Sequence, residues 1–415
     1  MEKLYVFAGM DWLGEDELVG ELRFDQIRGK EVYHFHFDKL WIARHSDIRL
    51  GEDLGNYVSD QFSQGDIFGC FADSLPDRWG RVLAERREQI FAQQEHRPTR
   101  HLTSFDYLKG IDDFSRMGAF RFKEHPDGRY INSEDRLSIP PIVFIRKLVD
   151  ASQHIELREE KGILPENKWI EQLYHPGTSL GGARPKSSVK DERGRLCIAK
   201  FPSRKDRYDV ALWEHFCHLL AKKAGVHVAE TRVVPVADIF HALVSVRFDR
   251  NTDGKRVHFS SSMNLLGLTD GDGADTGKGY LDIADVILRY GCNVQENLEE
   301  LFRRVAFNIC VGNSDDHFRN HGFLLSSKGW QLSPAYDLNP SLAYEQSLMI
   351  SENSCRASLS DLQDACEDYY LSSEVASDII QQVRDAVRSW RALAGLLRIS
   401  PSEQQLFAKR LDEFV

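Results

Sequence analysis

Short apolar or alternating runs open the chain. Leu4 to Phe7 is one, and Val32-Tyr33-His34-Phe35-His36-Phe37 is another; both have strand spacing. Phe71 to Trp79 then turns into a helix. Trp79, Val82, Leu83 and Ile90 supply its apolar face, and Asp73 or Ser74 is the expected cap. Met117 to Phe122 reads as a further strand, ended by Pro126-Asp127-Gly128. Pro140-Pro141 marks a boundary before a helix around Ile142 to Gln153. Residues 1–145 are therefore expected to form a mixed α/β module.

The next stretch, 146–255, reads in the order loop, strand, turn, strand, helix, strand, strand. Lys186 to Lys190 and Leu196 to Phe201 are the first two strands, with Asp191-Glu192-Arg193-Gly194 as their turn. The helix runs from about Tyr208 to Ala224 and Gly225 ends it. Strands at Thr231 to Val236 and Leu243 to Phe248 follow. From 256 to 415 the pattern is mostly helical. Helices are expected at Leu281 to Tyr290, at Asn297 to Val311 and over the amphipathic Glu374 to Leu397. Between them lies a hairpin around Ser326-Ser327-Lys328-Gly329. Ser400-Pro401-Ser402-Glu403 is the sequence of a capping box with Pro at the first helical position.

Composition narrows the function classes. The chain has 415 residues, 42% hydrophobic and 28% charged, which suggests two or three ordinary globular units. A net charge of -11 argues against broad nucleic-acid binding by this chain alone. No apolar run approaches the ~20 residues that span a bilayer, and Met1 to Phe7 lacks a signal-peptide layout. The seven cysteines form no C-x-x-C pair and read as reduced thiols of a cytoplasmic protein. His34, His36, His96 and His101 fit no standard metal spacing.

Two regions carry chemistry. Pro176 to Lys186 holds Gly177, Gly181 and Gly182, whose backbone amides can cradle phosphates, although no Walker lysine follows. Alone, such a loop is equally an ordinary turn. Lys200 lies in an apolar strand, where its charge is costly without an anion, and Glu214 on the next helix is the expected partner. The second region is Ser314-Asp315-Asp316-His317-Phe318-Arg319-Asn320, followed by a hairpin and then Asp337. Asp-x-x-x-x-Asn, a hairpin and a second Asp is the order of a protein-kinase catalytic loop and metal site. In that reading Asp315 orients and deprotonates the attacking hydroxyl, and Asn320 and Asp337 hold Mg²⁺. Taken singly, these are a solvated helix end and a turn; the ordered set is what carries the reading.

These motifs resemble those of the HipA family, the kinase toxins of bacterial HipA–HipB toxin–antitoxin systems. Ser179 to Lys186 resembles the family's glycine loop. Ile198 to Pro202 resembles its strand lysine, and Arg247-Phe248-Asp249-Arg250 its hinge beside adenine. Ser314 to Asn320 and Tyr336-Asp337-Leu338 resemble its catalytic and metal motifs, and Phe71 to Trp79 a segment of its N-terminal module. The resemblance implies an α+β, two-lobed protein-kinase-like fold with an additional N-terminal mixed α/β module (1–145), a nucleotide-binding core (146–255) and a mostly helical C-terminal lobe (256–415). It implies an ATP- and Mg²⁺-dependent Ser/Thr kinase with a role in persistence. Gly181, Gly182, Ala183, Lys186, Lys200, Val246, Phe248 and His317 would contact the nucleotide, and Ser179 would be an autophosphorylation site.

The implied partners are a helix-turn-helix, HipB-like antitoxin and a protein substrate such as an aminoacyl-tRNA synthetase. DNA would be reached mainly through the antitoxin, and no membrane is involved. Three residues depart from the family pattern. Arg184 replaces a Gln, Val246 stands where a well-known member has Glu, and Asp316 adds a negative charge where some members have a small residue. Two other readings compete: a catalytically silent co-repressor that works through an antitoxin, and a metal-dependent phosphohydrolase that leaves the lysine and glycine loop without a task.

Overall fold

The computed structural model describes residues 2–63, 67–133, 139–174, 182–236 and 240–414. The chain divides into two compact units, Met1–Lys205 with Val246–Ser260, and Asp206–Ser245 with Ser261–Val415. The 146–255 stretch is thus shared between them.

Unit 1 begins with five strands, β1 (Glu2–Ala8), β2 (Glu17–Ile27), β3 (Lys30–Phe37), β4 (Gln61–Phe62) and β5 (Phe120–Lys123). They form one sheet in the order β4-β3-β2-β1-β5, and every pairing is antiparallel. β5 starts later than the Met117 expected from the pattern, because Gly118 takes a left-handed turn at φ +72. β2 has no counterpart among the expected strands, yet it follows the same rule. Val19, Leu22 and Phe24 point inward, while Glu21, Arg23 and Asp25 lie between or beyond them. Gly20 interrupts the pattern. A Cβ there would sit 2.3 Å from the His36 carbonyl oxygen across the sheet. Phe35, Phe71 and Phe120 meet on the buried face with ring centroids 5.3–5.4 Å apart.

Asp77, rather than Asp73 or Ser74, caps the helix Arg78–Gln94. Its carboxylate accepts the Gly80 N–H at 2.8 Å. Asp73 instead ends the preceding short turn Gly69–Ala72. The helices Ile145–Glu160 and Asn167–Tyr174 join this bundle; the second was not expected. Arg86 grips Glu159 at 2.5 and 2.7 Å, and Arg87 reaches Glu171 at 2.9 Å. The hairpin β6 (Lys186–Lys190) and β7 (Leu196–Lys200) completes the unit, with its strands where the sequence places them.

Segment 246–260 is tied in by a buried charge cluster. Asp249, fully buried, accepts from Arg247 at 2.6 and 2.8 Å, from Arg250 at 2.7 Å and from the Gly118 N–H at 2.8 Å. Burial alone would raise its pKa; the two guanidiniums outweigh that and hold the carboxyl well below the usual range.

Unit 2 opens with the helix Val210–Lys223, which Gly225 follows at φ +82, and the antiparallel pair Thr231–Pro235 and His241–Val246. Its centre is the helix Val294–Val311, whose residues from Arg304 to Val311 are all buried. The Glu374 to Leu397 stretch is two helices, Ser373–Val387 and Trp390–Leu396. The chain turns between them so that Trp390 is fully buried with its indole N–H on Asp412. In the final helix, Pro401–Leu411, Ser400 caps as expected. Glu403 does not close the expected box, because its carboxylate accepts the Asp209 N–H at 3.2 Å.

Candidate active site

In unit 1, Ser179 and Gly181 lie outside the described residues. Gly182 (φ +94) and Ala183 lead directly into β6. The β6–β7 register sets Lys186 opposite Lys200, so two cationic side chains share one face where the glycine-rich segment enters. Like charges in that relation repel unless an anion joins them. Lys186, 2% exposed, has one: its Nζ donates to Asp77 Oδ2 at 2.8 Å and to the Gly182 carbonyl at 3.2 Å. Asp77 thus caps a helix with one oxygen and holds the end of the glycine segment with the other. The Arg247 N–H donates to the Leu196 carbonyl at 3.0 Å, which lays Val246 and Phe248 beside the start of β7. Phe248 is half-buried and faces Phe259, centroids 5.9 Å apart.

Glu214 belongs to unit 2. It lies buried on the helix Val210–Lys223, which Asp209 caps. The remaining predicted residues cluster at the end of the helix Val294–Val311. Gly312 ends that helix at φ +74, and a Cβ there would meet the Ser341 carbonyl oxygen at 2.4 Å. Asp315 is exposed, while Asp316, its neighbour, is 3% exposed. Asn320 donates from Nδ2 to the Asp315 carbonyl at 3.3 Å. The Tyr336 hydroxyl donates to the Arg319 carbonyl at 2.5 Å. Ser262 holds the same loop twice, through its N–H on the His321 carbonyl and its Oγ on the Phe318 carbonyl, both at 2.7 Å. His317 is half-buried just ahead of the short turn Phe318–Asn320.

Asp316 does not serve as a free charge beside a metal. Its Oδ2 accepts from the Tyr280 hydroxyl (2.7 Å), Asn308 Nδ2 (2.8 Å) and His321 Nε2 (2.7 Å). Burial pushes its pKa up, but the His321 ring and the donated hydrogen bonds win and hold the carboxyl below its ordinary value. His321 and Tyr280 were missed in the sequence. A histidine directly after Asn320 was the only available signal.

Asp337 sits at φ +59, a left-handed conformation that costs a non-glycine residue about 1 kcal/mol or more and tends to mark functional positions. Asn339 Nδ2 donates to Asp337 Oδ1 at 3.1 Å, and Asn339 Oδ1 is buried with no hydrogen-bond partner among the described residues. Asn320, with its Nδ2 on the loop carbonyl, keeps its oxygen for another ligand. An amide oxygen and a carboxylate are hard donors that suit Mg²⁺, which commonly takes one or two protein side chains and completes its shell with phosphate and water. The donor set therefore fits. Among the described residues no group of three or more His, Cys, Asp or Glu could hold a metal ion.

The family model described as the HipA-like C-terminal domain matches residues 178–390, slightly over half of the chain. The chain belongs to the HipA-like family. A Haemophilus influenzae protein, provisionally named a kinase, is 30% identical over 180 residues, 39% of this chain and 52% of that protein. The Shewanella oneidensis serine/threonine-protein kinase toxin HipA is 25% identical over 350 residues, 78% of this chain and 73% of that protein. The chain thus spans about half the length of the first of these relatives. A solved complex of Shewanella oneidensis HipA, HipB and operator DNA contains a chain that superposes with a TM-score of 0.65 at 19% identity, covering 99% of this chain and 95% of that one. At that identity the likeness establishes a shared α+β, HipA-type fold. The matched region takes in β6, β7, the Asp315 loop and Asp337, while Asp77, the partner of Lys186, lies outside it. No helix of the described residues is long and apolar enough to cross a membrane.

Proposed function

We propose that this HipA-like chain is a Ser/Thr protein kinase that uses ATP and Mg²⁺ and acts as the toxin of a toxin–antitoxin pair. The observation that carries the reading is an exposed carboxylate, Asp315, beside a buried Asp316 that three donors hold, with Asn320 and Asp337 as oxygen donors in the same unit. Asp315 would accept the proton of the substrate hydroxyl. Mg²⁺, held by Asn320 and Asp337, would neutralise charge on the transferring phosphoryl group. Lys200, with Glu214 as its proposed partner, and Lys186 would bind phosphate oxygens, together with the backbone amides of Gly181, Gly182 and Ala183. His317 would add a phosphate contact, and Val246 and Phe248 would flank the adenine.

Ser179, in the glycine segment, is the proposed autophosphorylation site. The proposed partner is a HipB-like helix-turn-helix antitoxin, supported by the HipB and operator DNA in the Shewanella complex and by a net charge of -11, with which DNA would be reached mainly through the antitoxin. An aminoacyl-tRNA synthetase is the proposed class of substrate. A catalytically silent co-repressor that works through the antitoxin is the second reading, since binding a HipB-like partner does not require turnover.

Phosphatase-treated protein incubated with labelled ATP and magnesium separates the two. The kinase labels itself or a co-incubated protein, and Asp315→Ala and EDTA each abolish the label. Nucleotide binding without any labelling, or equal labelling by Asp315→Ala, would remove the kinase reading and leave the co-repressor.

A further inference from the structure

We infer that Asp316 and His321 form a clasp that sets the relation between Asp315 and Asn320, which makes them positioning residues; the proposal rests on the kinase reading above. The two candidate site residues are each followed by one member of a single buried pair. Asp316 follows Asp315, His321 follows Asn320, and the hydrogen bond between them is 2.7 Å. Closing that pair closes the loop at both ends. Only three of the residues between, Phe318–Asn320, form a helical turn, so regular structure alone leaves much of the loop's backbone freedom intact.

The clasp is anchored on rigid parts of unit 2. Tyr280 comes from the first turn of the helix Tyr280–Tyr290, Asn308 from the last turns of the helix Val294–Val311, and both donate to the same Asp316 oxygen. Asn308 extends the network through Asn313, whose Nδ2 donates to its Oδ1 at 3.1 Å. The Asn313 oxygen in turn accepts the Asn339 N–H at 3.2 Å. The chain of hydrogen bonds therefore runs from the Asp315–Asn320 loop to the segment that carries Asp337. Behind it lies a cavity of about 10 Å³, lined by Arg304, Asn308, Asp316, Asn320 and His321 among others. That is room for roughly one water, so the loop is packed from within rather than spanning a void.

A buried ionisable pair adds little stability over an apolar pair of the same volume, but it defines one arrangement, because the alternatives leave a charge unpaired. Positioning by the clasp predicts a loss in turnover rather than in nucleotide affinity. A misplacement of about 1 Å costs up to roughly a hundredfold in rate.

The test is a double-mutant cycle on the full chain with Asp316→Ala, His321→Phe and both. Each single variant is expected to lower kcat per folded molecule about tenfold to a hundredfold while KM for ATP stays within about threefold. The double variant is expected to be no worse than the poorer single. Ile379→Ala, a buried site elsewhere in unit 2, serves as a control that lowers Tm without changing kcat per folded molecule. Multiplicative losses in the double variant, or losses no larger than in the control, would overturn the proposal.

Amide hydrogen exchange over residues 313–321 gives a second readout that needs no activity. Exchange should quicken in both single variants and stay unchanged in Ile379→Ala. If wild type transfers no phosphate the kinase reading fails, and exchange alone decides whether the clasp exists; unchanged exchange overturns it.

Discussion

The Asp77–Lys186 pair offers a quantitative test of how unit 1 holds the end of its glycine segment. Both side chains are nearly sealed, at 3% and 2% exposure, and their charged atoms are 2.8 Å apart. Asp77→Asn keeps the helix cap, because Asn caps as well as Asp. It takes the Asp77 charge away from Lys186, whose Nζ also donates to the Gly182 carbonyl and which lies opposite Lys200 on the same sheet face. Stripping one partner from a buried pair costs about 3–5 kcal/mol. Asn still offers a side-chain oxygen to Lys186, which places the expected loss at the lower end, about 3 kcal/mol. At about 2–4 °C per kcal/mol for a unit of this size, Tm should fall by about 6–12 °C. Lys186→Met alone should also destabilise, since it leaves the buried Asp77 carboxylate without its cation, with the Gly80 N–H still donating to it. Asp77→Asn combined with Lys186→Met should recover most of the loss, because a neutral pair has no charge to desolvate. Urea and thermal unfolding of the four proteins measure the cycle. An Asp77→Asn variant within about 1 kcal/mol of wild type, or a double variant as unstable as the sum of the singles, would refute the claim that the pair is energetically coupled.

Two further predictions concern other parts of the chain. His258 is buried against Phe120, and its Nδ1 lies 3.4 Å from the Ala119 N–H that donates to it; burial pushes its pKa down to about 3. The folded state therefore holds the ring neutral while the unfolded chain takes up a proton below about pH 6.5, so stability present above that pH is lost as pH falls. Between pH 7 and pH 5 the loss attributable to this ring is about 2 kcal/mol. Urea unfolding of His258→Gln should lack that part of the slope, and an unchanged slope would count against the assignment. Asp337→Gly should leave thermal stability within about 1 kcal/mol, since glycine relieves the left-handed backbone, yet abolish Mg²⁺-dependent labelling. A large fall in Tm with labelling retained would mean that Asp337 is a structural turn residue.

Local patterns were legible wherever neighbouring residues decide the outcome. β6 and β7 lie where the sequence puts them because Asp191 to Gly194 makes a turn whatever surrounds it. The helix before Asp315 ends at Gly312, as a glycine after an apolar periodic run implies. The signals that misled were those with several local candidates. Asp73, Ser74 and Asp77 are all good caps, and Asp77 takes the role because the helix starts at Arg78. Glu403 has the right spacing for a capping box, but the Asp209 backbone N–H, 194 positions earlier, takes its carboxylate. The Lys186–Asp77 pair spans 109 positions and no periodicity reaches that far.

Asp315 and Asp316 show the division most clearly. The sequence by itself determined that two carboxylates, a histidine and an asparagine follow an apolar helix in the order of a phosphoryl-transfer loop. It also determined which residue types could take a proton or hold a hard cation. Which of two identical neighbours faces solvent was decided only by the tertiary structure. Tyr280, Asn308 and His321 draw Asp316 inward, and the backbone then turns Asp315 out. Covalent chemistry is the same at both positions; burial and the donors brought together by distant segments are not.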